Sequence, residues 1–214
     1  HNVLPGENVD WDNIPEVQEL RKINHIPTKV KVLVKLLALQ TKRNVKTRYN
    51  GHDSACNILA TDFFRALGFK NISHRVDNDG NPVQNGGREL NANETGKNIL
   101  ARAYKGDDVW DKCSDQLATP LNARQFIDIS ELPIQARLVL LSEGFAFFGS
   151  TDSHNWVVWG DDSEQNGFIT PILTQATYNL PSQYLSESSY KLCGLDQGKR
   201  RNAKLFAIYL GNNN

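Results

Sequence analysis

The stretch Ser54-Ala55-Cys56-Asn57-Ile58-Leu59-Ala60-Thr61-Asp62-Phe63-Phe64-Arg65-Ala66-Leu67-Gly68 reads as one amphipathic helix. Cys56, Leu59, Ala60, Phe63, Phe64 and Leu67 recur at i, i+3, i+4, i+7, i+8 and i+11, the spacing of a single buried face. Asp53 or Ser54 supplies an N-cap and Gly68 the C-terminal stop. Cys56 falls in the first turn. There the unpaired N–H groups and the positive end of the helix dipole favour thiolate, the nucleophilic form, over thiol. The same N–H groups can bind an oxyanion. The competing reading is a small buried hydrophobe, because free cysteine is among the most buried residue types.

Working outward, residues 1–15 carry Pro5, Gly6 and Pro15 and read as an extended arm, with Asn13 placed to cap a short helix over 15–23. Val30, Leu33, Val34 and Leu37 give one buried face to a helix over 28–40, leaving Lys29, Lys31 and Lys35 as a solvated face. Asn50-Gly51 marks a turn. Residues 77–98 are rich in Asn, Gly and Asp and read as a polar loop or hairpin, followed by a short helix over 98–104. From Ala136 the character changes. Short runs at 137–141, 145–148, 155–159 and 168–173, with a last one at 203–210, are rich in Val, Ile, Phe and Trp. Gly, Asp and Ser separate the first four, as between consecutive antiparallel strands. Helices first and a sheet after is an α+β layout. The expectation is a single domain over 1–214, whose N-terminal arm and helices occupy about 1–48.

Charge and composition exclude several classes. The chain has 214 residues with 24 basic and 24 acidic side chains, so its formal net charge is zero and it is not a polybasic nucleic-acid binder. No run reaches the roughly 18 apolar residues of a membrane span. The chain starts at His1 and holds no methionine, as expected of a processed or trimmed chain, so a signal peptide would not be visible. Three cysteines, Cys56, Cys113 and Cys193, cannot all pair; one pair plus one working thiol suits an exported protein, and three reduced thiols suit a cytosolic one.

A cysteine hydrolase needs an imidazole beside the thiol, first as base and then as acid for the leaving amine. His154, in Asp152-Ser153-His154-Asn155-Trp156-Val157-Val158-Trp159, stands at the mouth of an expected central strand. Rigid backbone favours it over His52, which precedes the helix in a Gly-containing turn. A third group should accept the other ring N–H. Asp161, Asp162 and Asn166 lie just beyond the same strand, and Asp161 is the choice, against an ordinary polar turn. His52 with Asp53 and Cys56 lacks a second ligand cluster, so no metal and no cofactor is expected.

Asp53-Ser54-Ala55-Cys56-Asn57 with Phe63-Phe64-Arg65-Ala66-Leu67-Gly68 resembles the nucleophile helix of NlpC-type papain-like cell-wall peptidases. Leu138-Val139-Leu140-Leu141 followed by Ser153-His154-Asn155-Trp156-Val157-Val158-Trp159 resembles their strand pair ending in a Gly-His-hydrophobic motif. The variant most similar in pattern is the type VI secretion amidase effectors. Ser153 stands where the family has Gly, the Asp-Cys-Ser-Gly of NlpC enzymes is absent, and the gap from Cys to His is long.

The resemblance implies a papain-like fold with N-terminal helices packed on a small antiparallel sheet. It implies cleavage of amide bonds in peptidoglycan stem peptides, and a secreted protein or a toxin delivered to the periplasm or cell wall, with an immunity or inhibitor protein as a partner. On this picture Cys113 and Cys193 pair and Cys56 stays free. Asn71-Ile72-Ser73 and Asn93-Glu94-Thr95 match the glycosylation triplet. The rival readings are an acyltransferase or protein-directed protease with the same dyad, and a non-catalytic module binding through Trp156, Trp159 and Tyr190.

Overall fold

The computed structural model describes residues 9–42, 49, 55–165, 167–176, 182–184, 190, 194–196 and 203–213. The chain is mixed α+β. Its helices are α1 (Pro15–Arg21), α2 (Ile26–Lys42), α3 (Ala55–Ala66), α4 (Ala92–Arg102), α5 (Val109–Asp115) and α6 (Ile134–Ser142). Strands β1 (Arg75–Val76) and β2 (Arg88–Glu89) form a small antiparallel pair. The main sheet contains β3 (Ile127–Asp128), β4 (Phe145–Ser150), β5 (Asn155–Gln165), β6 (Phe168–Thr174), β7 (Ser182–Tyr184) and β8 (Lys204–Tyr209). Their spatial order is β3-β8-β4-β5-β6-β7, and every described pair is antiparallel. No described helix is long and apolar enough to cross a membrane.

Strand alternation sends successive side chains to opposite faces, and here both faces are apolar. Ala146, Phe148, Val157, Trp159, Phe206 and Ile208 join the cluster that holds Val17, Leu20, Leu33, Phe63, Phe64 and Ile99 of α1 to α4. Phe145, Phe147, Trp156, Val158, Leu205 and Ala207 join Val109, Cys113, Leu138, Leu140 and Leu141 of α5 and α6. Strands β4, β5 and β8 are therefore near-continuous apolar runs sandwiched between two helical layers. The expected N-terminal helices do cover one face; the second layer was not foreseen.

Residues 137–141 are that second layer. The sequence predicts a strand there, whereas the structure has α6, which starts directly after Pro133 and is followed by Gly144 at φ +100°. A short run of Leu and Val does not distinguish strand from helix; burial of Arg137, Leu138, Leu140 and Leu141, at i, i+1, i+3 and i+4, is the helical solution. The helix expected over 98–104 starts earlier, at Ala92. Asn91 Oδ1 accepts the Glu94 N–H at 2.8 Å and Glu94 Oε1 accepts the Asn91 N–H at 3.2 Å, a reciprocal cap. At the end of α3, Gly68 at φ +105° lets its own N–H reach Arg65 O and the Phe69 N–H reach Phe64 O, as its sequence position predicts.

Other surface expectations change as well. Lys29 is only 4% exposed, and burial lowers its pKa, so it does not belong to a solvated face. Trp156, Trp159 and Tyr190 are all buried, and the two tryptophans enter opposite clusters. They form no aromatic binding face. Both glycosylation triplets are tied into the fold: Asn71 Nδ2 donates to Arg124 O at 3.1 Å, and Thr95 is buried with its hydroxyl on Asn91 O. The Asn50-Gly51 turn lies outside the described residues.

Two glycines set the spacing around the start of β5. Gly149 faces Trp156 across β4 and β5, and a Cβ there would run into the indole ring. A Cβ on Gly96 of α4 would run into the Ser150 hydroxyl. Gly149→Ala and Gly96→Ala should each lower stability by about 1–3 kcal/mol through overpacking. Urea unfolding checks this; unchanged midpoints for both variants would contradict the close approach.

Candidate functional site

The site lies where the first turn of α3 meets the start of β5. Cys56 is the second residue of α3 and is partly exposed. The backbone N–H groups of Asn155, of Asn57 and of Cys56 itself lie near Sγ and favour its thiolate. The sulfur thus lies beside the peptide unit that joins His154 to Asn155.

Buried polar side chains hold both partners. Asn57 is fully buried; its Nδ2 donates to Leu90 O at 2.7 Å and to Thr95 Oγ1 at 3.0 Å, which pins the start of α3 to α4. Asn155 is likewise fully buried, with Nδ2 donating to Ser150 Oγ at 3.0 Å and to His154 O at 3.1 Å. The Thr151 N–H closes the β4–β5 turn on His154 O at 2.9 Å. His154 is therefore fixed at its backbone, as its position before an apolar strand predicts.

Its ring is fixed too. His154 stacks on Trp156, centroids 5.7 Å apart at 24°, and Trp156 rests on Gly149. Nε2 of His154 lies 2.7 Å from Gln175 Oε1. An amide oxygen only accepts, so Nε2 is the donor in this pairing.

Gln175 is the residue that the sequence analysis missed. It directly follows β6, and the register Val157↔Thr174 sets it opposite Trp156, beside the His154 end of β5. Counting back across the hairpin from a turn at Gly167 is the signal that finds it.

Asp161 is not this third group. It lies seven residues along β5 from His154, roughly 20 Å away at strand rise. Its Oδ1 pairs with Lys31 Nζ at 2.5 Å and accepts the Asp162 N–H at 2.9 Å. Burial pushes the Asp161 pKa up, but Lys31 and these hydrogen bonds more than offset that and hold it below the ordinary carboxylate value. Asp162 pairs with His25 Nε2 at 3.1 Å. Asn166, His52, Asp53 and Ser54 lie outside the described residues.

The sulfur's charge also differs from the expectation. Burial raises the Cys56 pKa, and the N–H groups of Asn155, Asn57 and Cys56 offset this only in part. Burial thus favours the thiol over the thiolate at Cys56. Cys113 is a free thiol with no exposure; burial, then the nearby Glu143 charge, push its pKa up to about 12. The expected bridge to Cys193 is thus absent from the Cys113 side, and Cys193 itself lies outside the described residues. Among the described residues no three His, Cys, Asp or Glu side chains gather as a metal centre.

Compared with known proteins, the chain matches no family model, no curated protein and no solved structure. The geometry therefore stands by itself: a partly buried thiol at a helix start, an oriented imidazole on the adjoining residue, and N–H donors around the sulfur. Such a set can form and break an acyl–sulfur bond.

Two measurements follow. In Gln175→Ala, the His154 imidazole should change from one Nε2–H tautomer to a mixture, read from ring ¹⁵N shifts; an unchanged single tautomer would remove Gln175 as the orienting group.

For Cys113, folded and unfolded states both hold the proton below the ordinary thiol value of 9.0, whereas between there and about 12 only the folded state does. Stability should therefore fall as pH rises through this window, by a few kcal/mol in order of magnitude. Cys113→Ala should flatten that fall relative to the parent; equal slopes would contradict it.

Proposed function

We propose that this chain is a cysteine hydrolase of amide bonds with a papain-like site, acting on peptidoglycan stem peptides after export or delivery to the cell wall. The observation that carries the chemistry is the contact of Cys56 Sγ with the Asn155 N–H, next to an imidazole whose Nε2 is held by Gln175. Cysteine, histidine and a side-chain amide acting together are the papain-type arrangement. The cell-wall substrate rests on the resemblance of the Cys56 helix and the His154 strand to NlpC-type peptidases. An immunity or inhibitor protein as partner rests on the same resemblance, through its amidase effectors.

The steps use groups already in place. His154 Nδ1 takes the Cys56 thiol proton as Sγ attacks the substrate carbonyl carbon. The resulting oxyanion is received by the N–H groups at the start of α3. The imidazolium then protonates the leaving nitrogen as the C–N bond breaks, which leaves a thioester on Cys56. Water gives a proton to Nδ1 and attacks the thioester. The C–S bond breaks, and the imidazolium returns its proton to sulfur. Gln175 keeps Nε2 protonated throughout, so the proton shuttles on Nδ1 alone.

Digestion of purified peptidoglycan followed by mass analysis of the fragments tests this. Cys56→Ala and His154→Ala should each lower turnover by several orders of magnitude while leaving the unfolding midpoint near the parent's. A folded Cys56→Ala protein that still releases fragments would end the cysteine mechanism. An active His154→Ala beside an inactive His52→Ala would move the base to His52.

A further inference from the structure

Away from the sulfur, a pocket of about 200 Å³ opens between the C-terminal end of α4, Asn71 in the loop after α3, and the segment 124–126 that leads into β3. Arg102, Arg124 and Asn71 line it, against the apolar side chains of Ile99 and Phe126. Two guanidiniums thus share one pocket, and among the described residues no carboxylate lines it. Neither arginine makes an ion pair with a described residue. Burial lowers the pKa of Arg102 and, against a smaller opposing effect of Tyr209, that of Arg124; no described carboxylate offsets it in either. The end of α4 contributes only about half a negative charge. Two positive charges taken partly out of water without a counter-charge are costly.

The hydrogen bonds leave a matching gap. A guanidinium has five N–H donors. Arg102 uses three, giving Asn98 Oδ1 one from Nε at 3.2 Å and one from Nη2 at 2.8 Å, and Asn71 O one from Nη1 at 2.8 Å. Arg124 uses three, giving Thr119 O one from Nε at 2.9 Å, and Tyr209 O at 3.0 Å and Gly211 O one each from Nη1. All these acceptors are neutral. Each arginine keeps two N–H groups unused, and Nη2 of Arg124, a residue only 4% exposed, is buried with no partner. Asn71 has the opposite lack: its Nδ2 donates to Arg124 O at 3.1 Å, whereas its Oδ1 is buried and accepts nothing.

We infer that this pocket binds a small oxyanion of the hydrogen phosphate class, received by Arg102 and Arg124 and donating its O–H to Asn71 Oδ1. Two positive charges and four unused N–H groups call for an anion with several oxygens, and the planar fork of arginine suits phosphate and carboxylate alike. The unfilled acceptor decides between them. Hydrogen phosphate carries an O–H, whereas sulfate and an ionised carboxylate only accept. The pocket is separate from the Cys56 site: Arg102 lies seven residues, about 10 Å of helix, beyond Thr95, which anchors the start of α3. The inference therefore stands without the hydrolase reading. Free phosphate and the protonated end of a phosphomonoester offer the same chemistry, and the experiment separates them.

Calorimetry on the full chain near pH 6, where a phosphomonoester is about half protonated, tests this. The probes are inorganic phosphate, sulfate, acetate and glycerol 3-phosphate, with chloride holding the ionic strength constant. Millimolar concentrations keep general salt exclusion from the surface out of the signal. Phosphate should bind saturably at one site, about tenfold or more tighter than sulfate or acetate, the worth of a charged hydrogen bond. Glycerol 3-phosphate that displaces phosphate makes the ligand a phosphate end; glycerol 3-phosphate that does not makes it the free ion.

Arg124 holds three backbone carbonyls in place, so the variants are made elsewhere. Arg102→Gln should weaken phosphate about tenfold or more, and Arg102→Lys, which keeps the charge and loses the fork, should fall between it and the parent. Asn71→Ala should bring phosphate down to the affinity of sulfate and leave sulfate unchanged. No saturable binding of phosphate at millimolar concentration, equal binding of phosphate and sulfate by the parent, or undiminished binding in Arg102→Gln overturns the site.

Discussion

The approach of the Asn155 N–H to Cys56 Sγ joins the N-terminal helices to the sheet at the point where chemistry is proposed. A sulfur is a weak acceptor, so this approach does not hold by its own strength. It is held by the burial of its neighbours. Asn57 anchors one side to α4, and Asn155 anchors the other to Ser150 on β4. The same burial has a cost for reactivity, because it favours thiol over thiolate at rest. In the proposed chemistry the imidazole then has to take the thiol proton.

The surrounding core explains why the geometry is fixed. Strands β4, β5 and β8 are apolar and buried on both faces, so close packing such as Gly149 against Trp156, and not polarity, discriminates the register. Within that register, Gly149 leaves room for Trp156, Trp156 supports the His154 ring, and the return strand brings Gln175 to Nε2. Each step depends on the one before it. A side chain at Gly149 would therefore act on the imidazole without touching it.

Much of this was legible in the residues. The periodicity of α3, its Gly68 stop and the three consecutive strands around His154 are local patterns, and local patterns survive in sequence. The placement of Cys56 at a helix start and of His154 just before a strand was legible from the same local patterns. What escaped was long-range or ambiguous. Residues 137–141 carry an apolar run that a second helical layer, not a strand, makes use of. Lys29 looked solvated because helical spacing tells which residues share a face, not what covers that face. Closeness along the chain favours Asp161, but seven residues of extended strand carry it away from His154, to where Lys31 pairs with it. Gln175 needed the hairpin register, which a bulge between Asp161 and Glu164 shifts. The Asn91 cap of α4 was hidden in a stretch whose composition reads as loop.

The central claim is that the Cys56 sulfur and the His154 ring work as a pair in the proposed chemistry. Dibromoacetone tests it directly, since its two electrophilic carbons join a thiol and an imidazole only when both lie within the span of a three-carbon bridge. Peptide mass mapping of the treated, folded protein should recover a single species in which the peptides containing Cys56 and His154 are joined by one acetone bridge, and Nδ1 should be the ring atom bonded. Cys56 alkylated without a bridge, or bridged to another side chain, would contradict the account.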